Sequence, residues 1–338
     1  MKKPVTIKDI AQKLNMSISA VSKALNNDKS ISELTRERVT ALAKEWNYVR
    51  NETARHFKQS KSFIIGIILP QLIDQFYLLA VNGVEQVALE EQYNVILTQS
   101  HESFDMETKI VDMMIRNRFD GVIASISKQT EDMSAFKKLE AMGIPVVYIA
   151  RVPKDPMCNY VTSNNFEGAF KGTEFLIKKG HRRIAHIKPP NKMYISQIRH
   201  EGYAHALKKH GIEYDPQLVK DVDLTNKSTF AAVDQLMKLK EPPTAILTFK
   251  NYITLNAMQV LRKKYPDQSR KIEFVGFGNL PLLEYLEHKP TASIEENPLE
   301  IGSTAARLLL QMMKDRNEDN EETQPKHLQI ACKLVVTK

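Results

Sequence analysis

From residue 62 onward the chain alternates short apolar runs with amphipathic stretches, and it does so twice. Phe63-Ile64-Ile65-Gly66-Ile67-Ile68-Leu69 reads as a buried strand, followed by an amphipathic run over about 75–91 and the strand Asn94-Val95-Ile96-Leu97. A helix near 105–117, Gly121-Val122-Ile123-Ala124, a helix over 131–142 and Pro145-Val146-Val147-Tyr148-Ile149 complete the first half. The order then repeats, with helices at 165–179, 196–210, 228–239 and 253–264. The strands between them are Arg183-Ile184-Ala185-His186-Ile187, Thr244-Ala245-Ile246-Leu247-Thr248 and Ile272-Glu273-Phe274-Val275-Gly276. Strands alternating with helices imply parallel, doubly wound sheets. Two such lobes place a ligand between the carboxyl ends of their strands. The last helix, 298–315, is expected to return to the first lobe and the end strand, 328–336, to join the second; the acidic stretch 315–322 is a solvated loop.

The first sixth of the chain has a different character. Residues 1–61 carry 13 Lys/Arg against 6 Asp/Glu, an excess of +7 out of a net +8 for 338 residues. Such asymmetry points to a segment that meets a polyanion, most often nucleic acid. Thr6 opens a helix with Asp9 three residues on, the two halves of a capping box, and Ile7, Ile10, Ala11 and Leu14 form its apolar stripe. After the turn Asn15-Met16, Ser17 opens a second helix whose inward face is Val21, Ala24 and Leu25. Asn26-Asn27-Asp28-Lys29-Ser30 is a loop, and a third helix to Trp46 buries Leu34, Val39, Leu42, Ala43 and Trp46. Two short helices across a tight turn, braced by a third, make a helix-turn-helix. Its second helix would present Ile18, Ser19, Ser22 and Lys23 to the major groove. Lys23 can donate to guanine acceptors or a phosphate, and Ile18 can meet a thymine methyl.

Other functional classes find little support. The longest apolar run, Phe63 to Pro70, is far short of a membrane helix, so no membrane partner is expected. No apolar stretch follows the basic start, so no secretory signal is read there. Cys158 and Cys332 are too few for a disulfide framework and too isolated for a zinc cluster, and the reading is a cytoplasmic chain. His200-Glu201 and His205 spell H-E-x-x-x-H, one residue longer than the zinc-protease spacing, and are expected on an exposed helix face. His101-Glu102 follows a strand and reads as a loop pair. No catalytic constellation, metal site or cofactor is expected.

The headpiece motifs Val5-Thr6-Ile7-Lys8-Asp9-Ile10-Ala11, Ser17 through Asn26, Thr35-Arg36-Glu37-Arg38-Val39 and Trp46-Asn47-Tyr48 resemble the LacI/GalR family of bacterial transcriptional regulators. So do Asp120-Gly121-Val122-Ile123, Gly180-His181-Arg182-Arg183-Ile184-Ala185, Arg199-His200-Glu201-Gly202-Tyr203, Pro243-Thr244-Ala245-Ile246 and Val275-Gly276-Phe277 in the body. The resemblance spans essentially the whole chain. It implies an all-α helix-turn-helix headpiece (1–47), a hinge helix or linker (48–61) and an α/β periplasmic-binding-protein-like core (62–338). The core's first lobe would take about 62–161 and 292–321, and its second about 162–291 and 322–338. It further implies that Thr6, Ser17, Ser22, Asn26 and Thr35 touch phosphates while Ile18, Ser19 and Lys23 read bases. Lys23 stands where the family usually has Arg, a point charge in place of a bidentate fork. Tyr48, Asn51, Ala54, Arg55, Phe57 and Lys58 join the DNA contact through the linker. Asn51 would cap the hinge helix, Arg55 and Lys58 would flank phosphates, and Phe57 would wedge into a minor-groove step where the family usually has Leu. The family's Pro after the Tyr is replaced by Arg50.

For the effector, the resemblance implies Phe76, Tyr77, Ser125, Arg151, Asn164, Arg199, Lys250 and Asn251. Asn164, Asn251 and Gly278 stand where many members carry acids, and Ala150 replaces a frequent Asp. A cleft that keeps Arg199, Arg151 and Lys250 but few acids suits a carboxylate or phosphate. The sequence therefore predicts a repressor that binds pseudo-palindromic operator DNA as a homodimer. Its effector would be a small carbohydrate, with an anionic sugar, uronate or sugar phosphate as the sharper expectation. A solute-binding transport protein shares the core pattern but has no use for residues 1–60. A regulator driven by a partner protein, as in the catabolite-control branch, is the other alternative.

Overall fold

In the computed structural model the described residues are 5–49, 61–317 and 324–337. They form two compact units, Met1–Ser62 and Phe63–Lys338.

The first unit is three helices, α1 (Ile7–Leu14), α2 (Ile18–Leu25) and α3 (Glu33–Glu45). Each starts on a hydroxyl that accepts a backbone N–H which the helix leaves unbonded. Thr6 Oγ1 accepts from Asp9, while the Thr6 amide donates to the Asp9 carboxylate at 2.7 Å, closing the capping box. Ser17 accepts from Ala20 and Ser32 from Thr35. Asn15 ends α1 in the left-handed region at φ 53°, a conformation asparagine tolerates well. The core is Ile10, Ala11, Val21, Ala24, Val39, Leu42 and Ala43. Leu34 is not part of it: it is 69% exposed. At 100° per residue, Leu34 lies half a turn away from Ala43, on the opposite side of α3.

The second unit holds two six-stranded sheets, one per lobe. In the first lobe the strands are β1 (Ile64–Leu69), β2 (Asn94–Gln99), β3 (Gly121–Ala124), β4 (Val146–Ile149), β5 (Asn159–Ser163) and β11 (His327–Ile330). They are all parallel, in the order β11-β5-β4-β3-β1-β2. The second lobe has β6 (Ile184–Lys188), β7 (Val219–Asp221), β8 (Ala245–Thr248), β9 (Glu273–Phe277), β10 (Ala292–Glu295) and β12 (Lys333–Val336). Their order is β12-β10-β9-β8-β6-β7, and only the edge strand β12 runs antiparallel. Helices α4 (Gln75–Glu90), α5 (Phe104–Arg116), α6 (Ser134–Ala141) and α12 (Pro298–Asn317) belong to the first lobe. Helices α7 (Asn165–Lys178), α8 (Tyr194–Lys209), α9 (Asn226–Met237), α10 (Asn251–Lys264) and the short α11 (Pro266–Ser269) belong to the second. Central strands covered on both faces must be apolar throughout, and β1, β3 and β4 are.

Two boundaries differ from the sequence expectation. Residues 292–295, placed by sequence in the first lobe, form β10 of the second sheet. The single end strand is in fact two: His327–Ile330 pairs with β5 in the first lobe, and Lys333–Val336 with β10 in the second. Ala331 and Cys332 break the extended run, so each half closes the edge of a different sheet. The chain consequently passes between the lobes three times, after β5, after β10 and after β11. The acidic region begins later than expected, because α12 continues to Asn317.

Helix α12 seats on α4 through two glycines. A Cβ at Gly83 would lie 2.1 Å from the Leu299 carbonyl oxygen, and one at Gly302 1.9 Å from that of Ala80. Backbone meets backbone at this crossing, so only glycine fits.

Candidate functional site

On α2, Ile18 is 46% exposed although aliphatic, Ser19 and Lys23 are exposed, and Ser22 is half-buried. Ile18 stacks above Ser22 and Ser19 above Lys23 at the i, i+4 spacing, giving two rows on the side away from Val21 and Ala24. The capping hydroxyl of Ser17 accepts from backbone, which leaves its O–H hydrogen as a donor, whereas Thr6 Oγ1 donates its own to Asp9 Oδ2 at 2.7 Å. Asn26 ends α2 and is exposed, while Thr35 Oγ1 lies 2.8 Å from Ser32 Oγ. Tyr48 packs half-buried on the headpiece core. Asn51, Ala54, Arg55, Phe57 and Lys58 lie outside the described residues.

The core's cleft is built at the strand ends of both lobes. Arg199, on the first half of α8, is buried and stacked on two rings, 3.5 Å from the centre of Phe277 and 4.6 Å from that of Phe249. Its Nη2 donates to Glu296 Oε1 at 2.5 Å, its Nε to Asn165 Oδ1 at 2.8 Å, and its Nη1 to the Phe249 carbonyl. Burial pushes the Glu296 carboxyl upward, and the adjacent guanidinium opposes that rise. Arg151 Nη1 grips both Glu102 oxygens, at 2.8 and 2.9 Å. Lys250 Nζ lies 3.5 Å from Asp74 Oδ2; burial lowers the lysine's pKa and Asp74 holds it up. Tyr77 OH and Ser125 Oγ share a buried hydrogen bond of 3.0 Å. Phe76 and Asn251 are buried in the cavity wall, and Asn251 Nδ2 has no partner among the described residues.

This geometry corrects the expectation of a cleft short of acids. Each of the three cations faces its own carboxylate, Arg199 with Glu296, Arg151 with Glu102 and Lys250 with Asp74. Glu102, read as a loop residue, is an ion-pair partner at the cleft. Its backbone, like that of neighbouring His101, takes a positive φ. Asn164 lies outside the cavity wall: its Oδ1 accepts the Glu167 amide and caps α7, and it is Asn165 that meets Arg199. Asp74, Glu296, Asn165, Phe249 and Phe277 were missed. Asp74 had a signal, since Asp before Gln75-Phe76-Tyr77 is a helix cap. Glu296 had none, being 97 residues from Arg199.

Besides the Lys250–Asp74 pair, three side-chain contacts among the described residues tie the lobes across the cleft. Tyr252 OH donates to the Ile73 carbonyl at 2.8 Å, Lys128 Nζ to the Asp223 carbonyl at 3.5 Å, and Lys192 lies 3.5 Å from Glu131. The H-E-x-x-x-H residues take no common role. His200 Nε2 meets Tyr214 OH at 3.2 Å, Glu201 accepts from Gln197, and His205 lies against Phe166 and Phe170. Among the described residues no group of His, Cys, Asp and Glu could hold a metal ion. No helix among them is long and apolar enough to cross a membrane.

Residues 6–51 match the family of bacterial regulatory proteins of the LacI type, and residues 62–338 the periplasmic binding proteins and sugar-binding domain of the LacI family. The chain belongs to the LacI family. As a member it is a DNA-binding transcriptional regulator with a ligand-binding core. The HTH-type transcriptional repressor CytR of Escherichia coli (strain K12) is 29% identical over 312 residues, covering 92% of this LacI-family chain and 91% of its own. Catabolite control protein A of Priestia megaterium is 27% identical, over 96% and 97% of the two chains. The transcriptional regulator CelR in complex with cellobiose superposes with a TM-score of 0.72 at 27% identity, over 98% of each chain. The lac repressor dimer bound to operator and the anti-inducer ONPF gives 0.84 at 22% identity over 98% of each, a likeness of fold.

Proposed function

We propose that this regulator is a repressor that binds a pseudo-palindromic operator as a homodimer, and that a small carbohydrate-type effector in the core cleft controls its operator affinity. The observation that carries the reading is the exposed face of α2, where an aliphatic Ile18 stands beside Ser19 and Lys23 while the helix's other side fills the core. In this reading Ile18, Ser19 and Lys23 read bases. Thr6, Ser17, Ser22, Asn26 and Thr35 hold phosphates, and Tyr48, Asn51, Ala54, Arg55, Phe57 and Lys58 extend the contact through the linker. A headpiece of 1–47, a linker of 48–61 and a core of 62–338 divide the work. One recognition helix covers one half-site, so two copies are required. A protein of this kind works in the cytoplasm, where its DNA is.

In the core, Phe76, Tyr77, Ser125, Arg151, Arg199, Lys250 and Asn251 form or support the effector site, with Asn164 fixing α7 behind them. Cellobiose is bound by CelR, a relative of matching length. The internal pairing of Arg199, Arg151 and Lys250 favours a neutral effector over a sugar acid. Fluorescence anisotropy of a selected operator duplex at fixed salt tests the whole reading. Specific binding should appear, and Lys23→Ala should weaken it by about 1–3 kcal/mol and relax discrimination at one base pair. Neutral sugars, uronates and sugar phosphates are then titrated against the complex. Absence of specific binding overturns the regulator reading. Release by sugar acids alone overturns the neutral effector, and no response to any small molecule favours control by a partner protein.

A further inference from the structure

The cleft has two chambers of very different size. The inner one, at Arg199, Lys250 and Asn251, offers about 50 Å³. At roughly 30 Å³ per water this is room for one or two small polar groups and no ring. The outer one offers about 700 Å³ between the two lobes. Arg151 and Ile195 line both. Apolar side chains dominate the outer walls, with Ile126, Met133 and Val152 from the first lobe facing Pro189, Met193 and Leu224 from the second. Leu224 is held at φ 72°, an uncommon conformation for a leucine. Charge is near balance here too: Lys128, Lys154 and Lys192 line the chamber along with Glu131, Asp155 and Asp223, and the charge of Arg151 is met by Glu102.

We infer that the effector is a neutral two-ring molecule, a sugar carrying a second ring on its anomeric carbon. It lies mainly in the outer chamber and sends one hydroxyl or hydroxymethyl group inward to Asn251. This inference rests on the effector reading above and names its ligand class. A single sugar ring would leave more than half of the outer chamber to water, against apolar walls that gain nothing from wetting. A second ring fills it and lays apolar faces on Met133, Met193 and Val152. The inner chamber then selects a small neutral polar tip, because Asn251 Nδ2 is a buried donor without a partner among the described residues and the charge of Arg199 is already met by Glu296, with each of its three nitrogens donating one bond. An anionic tip would have to displace Glu296 from Arg199, or Asp74 from Lys250.

The test is calorimetric titration of the full chain with cellobiose, phenyl β-glucoside and uridine. Their one-ring counterparts glucose and ribose, and the anions glucuronate and glucose 6-phosphate, are titrated alongside. At least one ring pair should bind about a hundredfold tighter than its own single ring, and which one identifies the second ring as sugar, aryl or nucleobase. Met133→Trp and Met193→Trp fill the chamber from opposite walls, and each should erase the affinity ratio between two rings and one. Two variants guard against one of them misfolding, and thermal melting reports folding directly. Equal affinity for one and two rings overturns the inference, as does tighter binding of either anion, or an advantage that survives both tryptophans. If no probe binds while the operator is still recognised, the ligand class is wrong and the regulator reading stands; loss of operator recognition alone would count only against the latter.

Discussion

Glu296 shows how much can rest on one side chain. It neutralises a guanidinium that is otherwise enclosed by Phe249, Phe277 and Asn165. Removing one partner of a buried pair strands the other charge, which costs more than the pair contributes net. Glu296→Ala is therefore expected to destabilise the core by about 3–5 kcal/mol, read as a lowered urea midpoint, with Glu296→Gln milder. His186 gives a second residue-scale expectation. It is fully buried in β6, its Nδ1 3.2 Å from the Leu247 carbonyl, and burial drives its pKa down to about 3. The fold keeps it neutral, whereas the unfolded chain takes up a proton near pH 6.5. Its contribution is full above about pH 6.5 and is lost progressively toward pH 3. At pH 5.5 the loss is about 1.4 kcal/mol. Urea midpoints between pH 7.5 and 5 should fall in the wild type, and the slope should shrink in His186→Gln. Arg199 was legible in the sequence because its flanking motif carries it. Glu296 was not, because a buried ion pair is a fact of three dimensions with no local pattern. The charge balance inferred from one strand end at a time was accordingly wrong.

Among the elements, the helix caps and apolar stripes of the headpiece were open to reading, since both depend on neighbours within four residues. Leu34 is apolar by identity, but its angle around α3 turns it to solvent. In the core, helix and strand alternation was plain, but the exit of the chain was not. Whether 328–336 is one strand or two depends on which sheet edge each half reaches, and hydrophobicity says nothing about that. The α4–α12 crossing carries a sharp expectation. Gly302→Ala gains up to about 1 kcal/mol of helix propensity, yet its Cβ would stand 1.9 Å from a backbone oxygen. The clash wins, because Ala80 cannot yield without moving α4. A net loss of about 1–3 kcal/mol should appear as a lower thermal midpoint. A neutral or stabilising result would mean that the helices sit farther apart.

At the scale of the molecule, the two lobes are held by a few polar contacts over a large cavity. Tyr252→Phe removes the bond to the Ile73 carbonyl and leaves the ring in place. Such a bond contributes about 0.5–1.5 kcal/mol, so effector affinity should fall roughly two- to tenfold if the closed arrangement is the one that binds. Small-angle scattering of the effector-free variant should show a larger radius of gyration, and an unchanged radius with unchanged affinity would remove Tyr252 from the closing mechanism.

The three passages of chain between the lobes also set an order of events during synthesis. Each sheet waits for one of the last strands to leave the ribosome, the first lobe for His327–Ile330 and the second for Lys333–Val336. The headpiece has its own core, complete by Tyr48. At about 5–20 residues per second, the stretch from Tyr48 to Val336 takes roughly 15–60 s to make. Throughout that interval a nascent polypeptide displays a finished reading head and an unfinished sensor. A message truncated late in the coding region would yield a folded headpiece attached to a sensor with both sheets open at an edge.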